Sequence, residues 1–358
     1  MYTVIMTGGS GTRFWPVSRR HRPKQFINIT GAGPMVVETC DRLKPVARDE
    51  EMILVLGEQH LEEAKGLFSG RKVHMLAEPV GRNTAPCIGL GAICARHLGC
   101  NGSVAFLPAD HYIANPDKFL NALSAAGRLA EEGGIVTLGI VPSRPETGYG
   151  YIRRTDTRSD IDGFTAYQVS GFYEKPDFNT ALGYLGTGEY YWNAGIFVAT
   201  AVTILNEIKK LLPGLYSGLL RLEKVMGTDQ FEAEFKSVYQ GLTGISFDYG
   251  IMERTRERIS VIPCECGWSD VGSWASLYEL KSGEYDANKN MAEGQALLID
   301  CEGSLVSGNS GRLVACLGLK DCLIVDTHDA VLVTRLDRSQ EIRRIVDLLK
   351  QNKRDHLL

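Results

Sequence analysis

Tyr2-Thr3-Val4-Ile5-Met6-Thr7-Gly8-Gly9-Ser10-Gly11-Thr12-Arg13 begins as an apolar run and ends in a glycine-rich turn. It reads as a buried strand that delivers its carboxyl end to a loop. Glycine has no Cβ, so the backbone can approach a ligand closely, and successive N–H groups can form an anion-binding nest. The turn is not a Walker loop, because the chain has no G-x-x-x-x-G-K-[ST]. Nor is it the dinucleotide fingerprint, which would need glycine where Phe14 stands. Two cations follow closely. Arg13 offers a fork to phosphate oxygens and Lys24 a point charge. A glycine nest with two nearby cations points to a polyphosphate site.

Outward from this stretch the same grammar repeats. Met52–Leu56, Val104–Leu107 and Ile135–Leu138 are further short apolar runs, and Leu61–Phe68, Ala85–His97 and Phe119–Glu131 between them carry helical spacing. Strand, helix and strand in alternation predict an α/β fold: a Rossmann-like, mixed but mostly parallel sheet with helices on both faces. Ligands of such sheets sit at the carboxyl ends of the strands. Those ends carry Gly8–Arg13 and Pro108–His111. A carboxylate there, Asp110, is a natural Mg²⁺ ligand; a turn cap is the alternative. Tyr149–Arg154 and Ala166–Tyr173 read as edge strands, Trp192–Ala199 as a buried one, and Asp248 as the cap of a following helix.

After Asn288 short apolar strands alternate with Gly, Asn, Ser and Asp turns. This predicts a small carboxyl-terminal β-rich, β-helix-like domain, closed by an amphipathic helix over 340–351 with Ile342, Ile345, Val346 and Leu349 on one stripe. The expected division is residues 1–285 and 286–358.

Composition sets the outer bounds. The chain has 358 residues, a formal charge of −4, 44% hydrophobic and 23% charged residues, and a pI near 6.0. These are globular values without the basic excess of a nucleic-acid binder. No apolar run approaches a membrane span and no basic leader precedes the first strand. The nine cysteines form no C-x-x-C pair and read as reduced thiols of a cytoplasmic protein.

The string Gly8-Gly9-x-Gly11-Thr12-Arg13-x-x-Pro16-x-Ser18, continued by Pro23-Lys24-Gln25-Phe26, resembles the opening of the sugar-1-phosphate nucleotidyltransferases. The lysine segment is similar to that of the mannose-1-phosphate guanylyltransferase branch. The resemblance implies that Gly8, Gly9, Gly11, Thr12 and Arg13 cradle the nucleotide, with Arg13 and Lys24 acting in catalysis. Glu78-Pro79-Val80-Gly81-Arg82-Asn83-Thr84 resembles a segment that lies beside the nucleotide, which assigns Arg82, Asn83 and Thr84 to it. Read by itself, this stretch is a helix start with Thr84 as its cap. Gly148, the Glu174-Lys175-Pro176 turn and Asn193 in Trp192-Asn193-Ala194-Gly195 match the family's sugar-phosphate side; Ala194 replaces a frequent serine. Gly267-Trp268-Ser269-Asp270 places Asp270 as the second metal carboxylate beside Asp110.

The implied reaction joins mannose 1-phosphate and GTP into GDP-mannose and pyrophosphate, with Mg²⁺ or another divalent cation as cofactor. Related expectations are another sugar 1-phosphate or nucleotide, or a silent sugar-nucleotide-binding regulator. No nucleic-acid or membrane partner is expected, and the β-rich tail is a candidate homodimer surface. A sugar phosphate has a second pKa of ~6, so it is already largely dianionic and needs no base; His111 is therefore not assigned one.

Overall fold

The computed structural model describes residues 1–9 and 11–358; Ser10 of the glycine turn lies outside them. In chain order the helices are α1 (Met35–Leu43), α2 (Leu61–Leu67), α3 (Thr84–His97), α4 (Pro116–Glu131), α5 (Phe178–Thr187), α6 (Ala201–Leu211), α7 (Pro213–Val225), α8 (Phe231–Gly241), α9 (Trp274–Leu280) and α10 (Ile342–Gln351). The chain forms two compact units. The first comprises Met1–Gly8, Thr39–Ala109 and Ile113–Trp268, and the second Gly9–Glu38, Asp110–Tyr112 and Ser269–Leu358.

The first unit is built on a sheet of nine strands among the described residues. They are β1 (Tyr2–Met6), β2 (Met52–Gly57), β3 (His74–Glu78), β4 (Ser103–Pro108), β5 (Ile135–Ile140), β6 (Gly150–Ile161), β7 (Phe164–Glu174), β8 (Tyr190–Thr200) and β9 (Ile259–Pro263). Their order is β3-β2-β1-β4-β8-β5-β9-β7-β6. β1 runs parallel to β2, with Thr3 opposite Met52, and to β4, with Tyr2 opposite Val104. Both faces are covered there, so Val4, Ile5, Ile53, Val104 and Phe106 are fully buried. β8 is antiparallel to both β4 and β5, which makes the sheet mixed. β6 and β7 form a long antiparallel hairpin at one edge. The α/β reading of a mostly parallel sheet holds.

Several details differ from expectation. α3 is capped by Asn83, whose side-chain oxygen accepts from Thr84 N at 2.8 Å. Thr84 is the first helical residue instead, and its hydroxyl accepts from Phe247 N at 2.8 Å. Asp248 does not cap a helix; it lies inside a π-helical turn, Asp248–Met252. β9 stops at Pro263, so Cys264 and Cys266 lie beyond its end. Their neighbouring thiols act on each other, which lowers the pKa of Cys266 and raises that of Cys264. All nine cysteines are free thiols.

The second unit holds the β-rich tail: β10 (Met291–Glu293), β11 (Ala296–Ile299), β12 (Leu305–Gly308), β13 (Val314–Leu317), β14 (Cys322–Asp326) and β15 (Val331–Arg335). β10, β12 and β14 stack in parallel, as do β11 and β13, in the manner of β-helix coils. Met291, Leu305 and Leu323 fall in register and form a buried column. Phe14 and Trp15, which follow the glycine turn, share one core with this column, with Trp274 of α9 and with Ile342 and Val346 of α10. Each such side chain stabilises by roughly 1.5–3 kcal/mol when fully buried. Trp15 Nε1 also donates to Leu357 O at 2.8 Å, and Arg19 pairs with Asp329 at 2.7 Å. The segment that follows the glycine turn is thus bolted to the carboxyl-terminal strands and helix. Among the described residues no helix is long and apolar enough to cross a membrane.

Candidate active site

The second unit gathers Arg13, Lys24, Asp110 and Asp270 of the residues that the motifs singled out. Lys24 lies in a short 3-10 turn, Lys24–Phe26, and its side chain is only 7% exposed. Its ammonium donates to Asp110 Oδ2 at 3.0 Å, to Asp110 O at 2.8 Å and to Asp270 O at 2.5 Å. Each of its three protons therefore has an acceptor, and one amine ties together the segments that carry the two acids. Burial pushes the Asp110 carboxyl up, but the charges of Lys24 and His111 outweigh it and hold the group below the usual carboxylate range. Asp270 Oδ1 accepts from Gly272 N at 3.1 Å, which sets its rotamer.

Gly11 explains why the turn needs glycine. Its φ is +55°, a left-handed value, and a Cβ on it would stand 2.4 Å from Lys24 N. A side chain at Gly11 would displace the very segment that positions Lys24. Gly11, Thr12, Arg13, Lys24, Asp110 and Asp270 all line a cleft of 420 Å³, and α10 contributes Arg343, Asp347 and Lys350 to it. Arg13 is exposed. Gly9 also takes a positive φ, and open space surrounds both it and Gly8.

No group of three or more His, Cys, Asp or Glu is arranged to hold a metal ion among the described residues. The donor set is instead two carboxylates on one cleft. That suits Mg²⁺, which takes one or two carboxylates and completes its octahedron with water and phosphate oxygens.

The first unit holds the other predicted residues in two groups. In one, the Arg82 guanidinium donates to Tyr239 O and Gln240 O, both at 2.8 Å, and so satisfies carbonyls at the end of α8. Asn83 and Thr84 are the helix-start residues described above. Nearby Glu78, at the end of β3, is buried, and its Oε1 has no hydrogen-bond partner among the described residues. Burial raises its pKa to about 7.

The second group is polar and aromatic. Asn193 Nδ2 donates to Asp248 Oδ1 at 2.6 Å, and Asn193 Oδ1 accepts from Gly195 N at 2.9 Å. Lys175 forms an ion pair with Glu174 and has a positive φ of 47°. Its N–H donates to Tyr149 O at 3.2 Å, which ties the Glu-Lys-Pro turn to the loop containing Gly148. A Cβ on Gly150 would stand 2.5 Å from Glu174 Oε2, so the chain passes close to that carboxylate. Tyr149 packs edge-on against Trp192 and Trp268, with ring centroids 5.3 and 5.4 Å away. Burial raises the Asp248 pKa, and the nearby charge of Glu174 adds to this. From sequence Asp248 reads as a helix cap, which gives no sign of its place here. Only the contact with Asn193, 55 positions away, reveals it.

Comparison with known proteins places the chain in a family. Residues 2–286 match the family model described as "Nucleotidyl transferase". Residues 294–349 match that of the "MannoseP isomerase/GMP-like beta-helix domain". A Klebsiella pneumoniae protein named mannose-1-phosphate guanylyltransferase is 39% identical over 357 residues, 98% of this chain and 74% of that protein. An Escherichia coli protein of the same name is also 39% identical over 357 residues, with the same coverage. A Thermus thermophilus crystal structure, described as a mannose-1-phosphate geranyltransferase, superposes with a TM-score of 0.86 at 34% identity. The match covers 98% of this chain and 99% of that one. The chain belongs to the nucleotidyl transferase family, and its β-rich tail matches the β-helix domain model of residues 294–349.

Proposed function

We propose that this enzyme transfers GMP from GTP to mannose 1-phosphate, giving GDP-mannose and pyrophosphate. The observation that carries the reading is the bridge from Lys24 to Asp110 and Asp270 on a cleft rimmed by the glycine turn. The names of the relatives supply the choice of nucleotide and sugar.

The chemical problem is repulsion. Two like charges 4 Å apart cost about 4 kcal/mol at an effective dielectric of 20, and a dianion must reach a triphosphate. Asp110 and Asp270 would hold the divalent ion, which supplies charge neutralisation at the phosphates when bound. Lys24 keeps both acids on the same cleft. Arg13 and the N–H groups of Gly11 and Thr12 orient the triphosphate. Glu174 and Asn193 accept and donate to sugar hydroxyls, while Lys175 meets the sugar phosphate. The sugar phosphate is already ionised, so catalysis is positioning and charge stabilisation without a general base.

The test is pyrophosphate release from each of GTP, ATP, UTP and dTTP, paired with mannose 1-phosphate or glucose 1-phosphate. GTP with mannose 1-phosphate should give the highest kcat/KM. A clear preference for another pair would replace this reading with a different nucleotidyl transfer. No turnover with any pair would favour a binding role.

A further inference from the structure

The carboxyl-terminal helix carries a second cationic wall of the same cleft. Arg343, Asp347 and Lys350 stand at i, i+4 and i+7 of α10, one stripe of the helix. Beside it, Ile342 and Val346 are buried in the core shared with Phe14, the residue next to Arg13. This packing fixes the polar stripe against the glycine turn, and all three of its residues line the cleft with Asp110 and Asp270.

The charge inventory of the cleft is informative. Lys24 is spent on Asp110 and Asp270. Lys350 lies 3.7 Å from Asp347, a loose pair. Arg13 and Arg343 are exposed, and neither forms an ion pair among the described residues. The neighbouring Arg344, by contrast, is held by Glu341 at 2.7 Å. Two unneutralised guanidiniums on one cleft are suited to a polyanion, which they can grip with paired hydrogen bonds.

We infer that α10 belongs to the active site: Arg343, assisted by Lys350, binds the β- and γ-phosphates that leave as pyrophosphate. In the transfer a sugar-phosphate oxygen forms a bond to Pα, and the bond from Pα to the bridging β-oxygen breaks. Its electron pair departs on pyrophosphate, so negative charge grows where Arg343 can meet it. The inference deepens the proposed function and rests on its assignment of this cleft to the nucleotide phosphates. It makes the β-rich domain a supplier of binding residues. Asp347 is the adverse charge on the stripe.

The experiment uses the full chain and the variants Arg343→Ala, Lys350→Ala, Arg343→Lys, Asp347→Asn and Arg344→Ala. Two readouts are needed: calorimetric binding of inorganic pyrophosphate with Mg²⁺, and the separate KM values for GTP and mannose 1-phosphate. Thermal melts confirm folding. Arg343→Ala should weaken pyrophosphate binding and raise the KM for GTP by about tenfold, a loss of one good charged contact. The KM for mannose 1-phosphate should stay within about twofold. Arg343→Lys should recover part of the loss, Asp347→Asn should tighten pyrophosphate binding, and Arg344→Ala should match the parent protein. Folded Arg343→Ala and Lys350→Ala proteins that bind pyrophosphate and GTP as the parent does would overturn the inference and leave the proposed function standing. Weakened pyrophosphate binding in a protein that transfers no GMP would support the helix's role and overturn the proposed substrates instead.

Discussion

The ammonium of Lys24 lies 3.0 Å from Asp110 Oδ2. The two residues are 86 positions apart in the chain, and the same amine reaches the backbone of Asp270. One buried lysine therefore sets the spacing of the two acids to which the reaction is assigned. Lys24→Ala removes a charge and also releases both acid-bearing segments. We expect turnover to fall by about a hundredfold or more, on the scale of losing one preorganised charge donor. Pyrophosphate release by a folded variant checks this.

Gly11→Ala tests the turn itself. A left-handed conformation costs a non-glycine residue roughly 1–2 kcal/mol, and the new Cβ would press on Lys24 N from 2.4 Å. Both a lowered Tm and lost GTP binding are expected, in contrast to Gly214→Ala in α7, where a Cβ meets open space. An active and equally stable Gly11→Ala protein would contradict the geometry.

Glu78 predicts a pH dependence of stability. Burial raises its pKa from 4.5 to about 7. Between those values the folded state binds more protons than the unfolded one, so stability falls as pH rises through the window and levels off above it. The full effect is at most about 3 kcal/mol. Glu78→Gln should flatten this part of the curve and be the more stable protein at pH 8. Urea melts of both proteins between pH 5 and pH 8 measure the difference.

Asn193 and Asp248 test the sugar side. Asn193→Ala removes the partner that donates to Asp248 at 2.6 Å and leaves that carboxylate without its amide. The KM for mannose 1-phosphate should rise by about tenfold, while the affinity for GTP should change little. A variant whose two KM values move together would argue that Asn193 acts only through the fold.

The parallel half of the sheet was legible because buried strands must be continuous apolar runs; Val4–Met6 and Met52–Leu56 can hardly be anything else. The carboxyl-terminal coils were legible from their turns. Helices α1, α5 and α9 were not, because their apolar stripes are short and a site motif (Trp268 to Trp274) obscured the start of α9. Its cap, Ser273, accepts from Ser276 N, a signal present in the sequence but overlooked. The candidate site was legible as residue types and order alone. That Lys24 would face Asp110 rather than stand free for phosphate, that Arg82 would be engaged by the end of α8, and that α10 would reach the glycine turn are tertiary facts. Local spacing carries no trace of them.

We propose that Asp110 and Asp270 act together on one divalent ion bound with GTP. Its most direct test is a Mn²⁺ titration followed by electron paramagnetic resonance in the presence of GTP, on the parent protein and on Asp110→Asn and Asp270→Asn. Each variant should weaken Mn²⁺ binding by about tenfold or more. If both folded variants bind Mn²⁺ with GTP as tightly as the parent, the two acids share no ion and the proposed site does not exist.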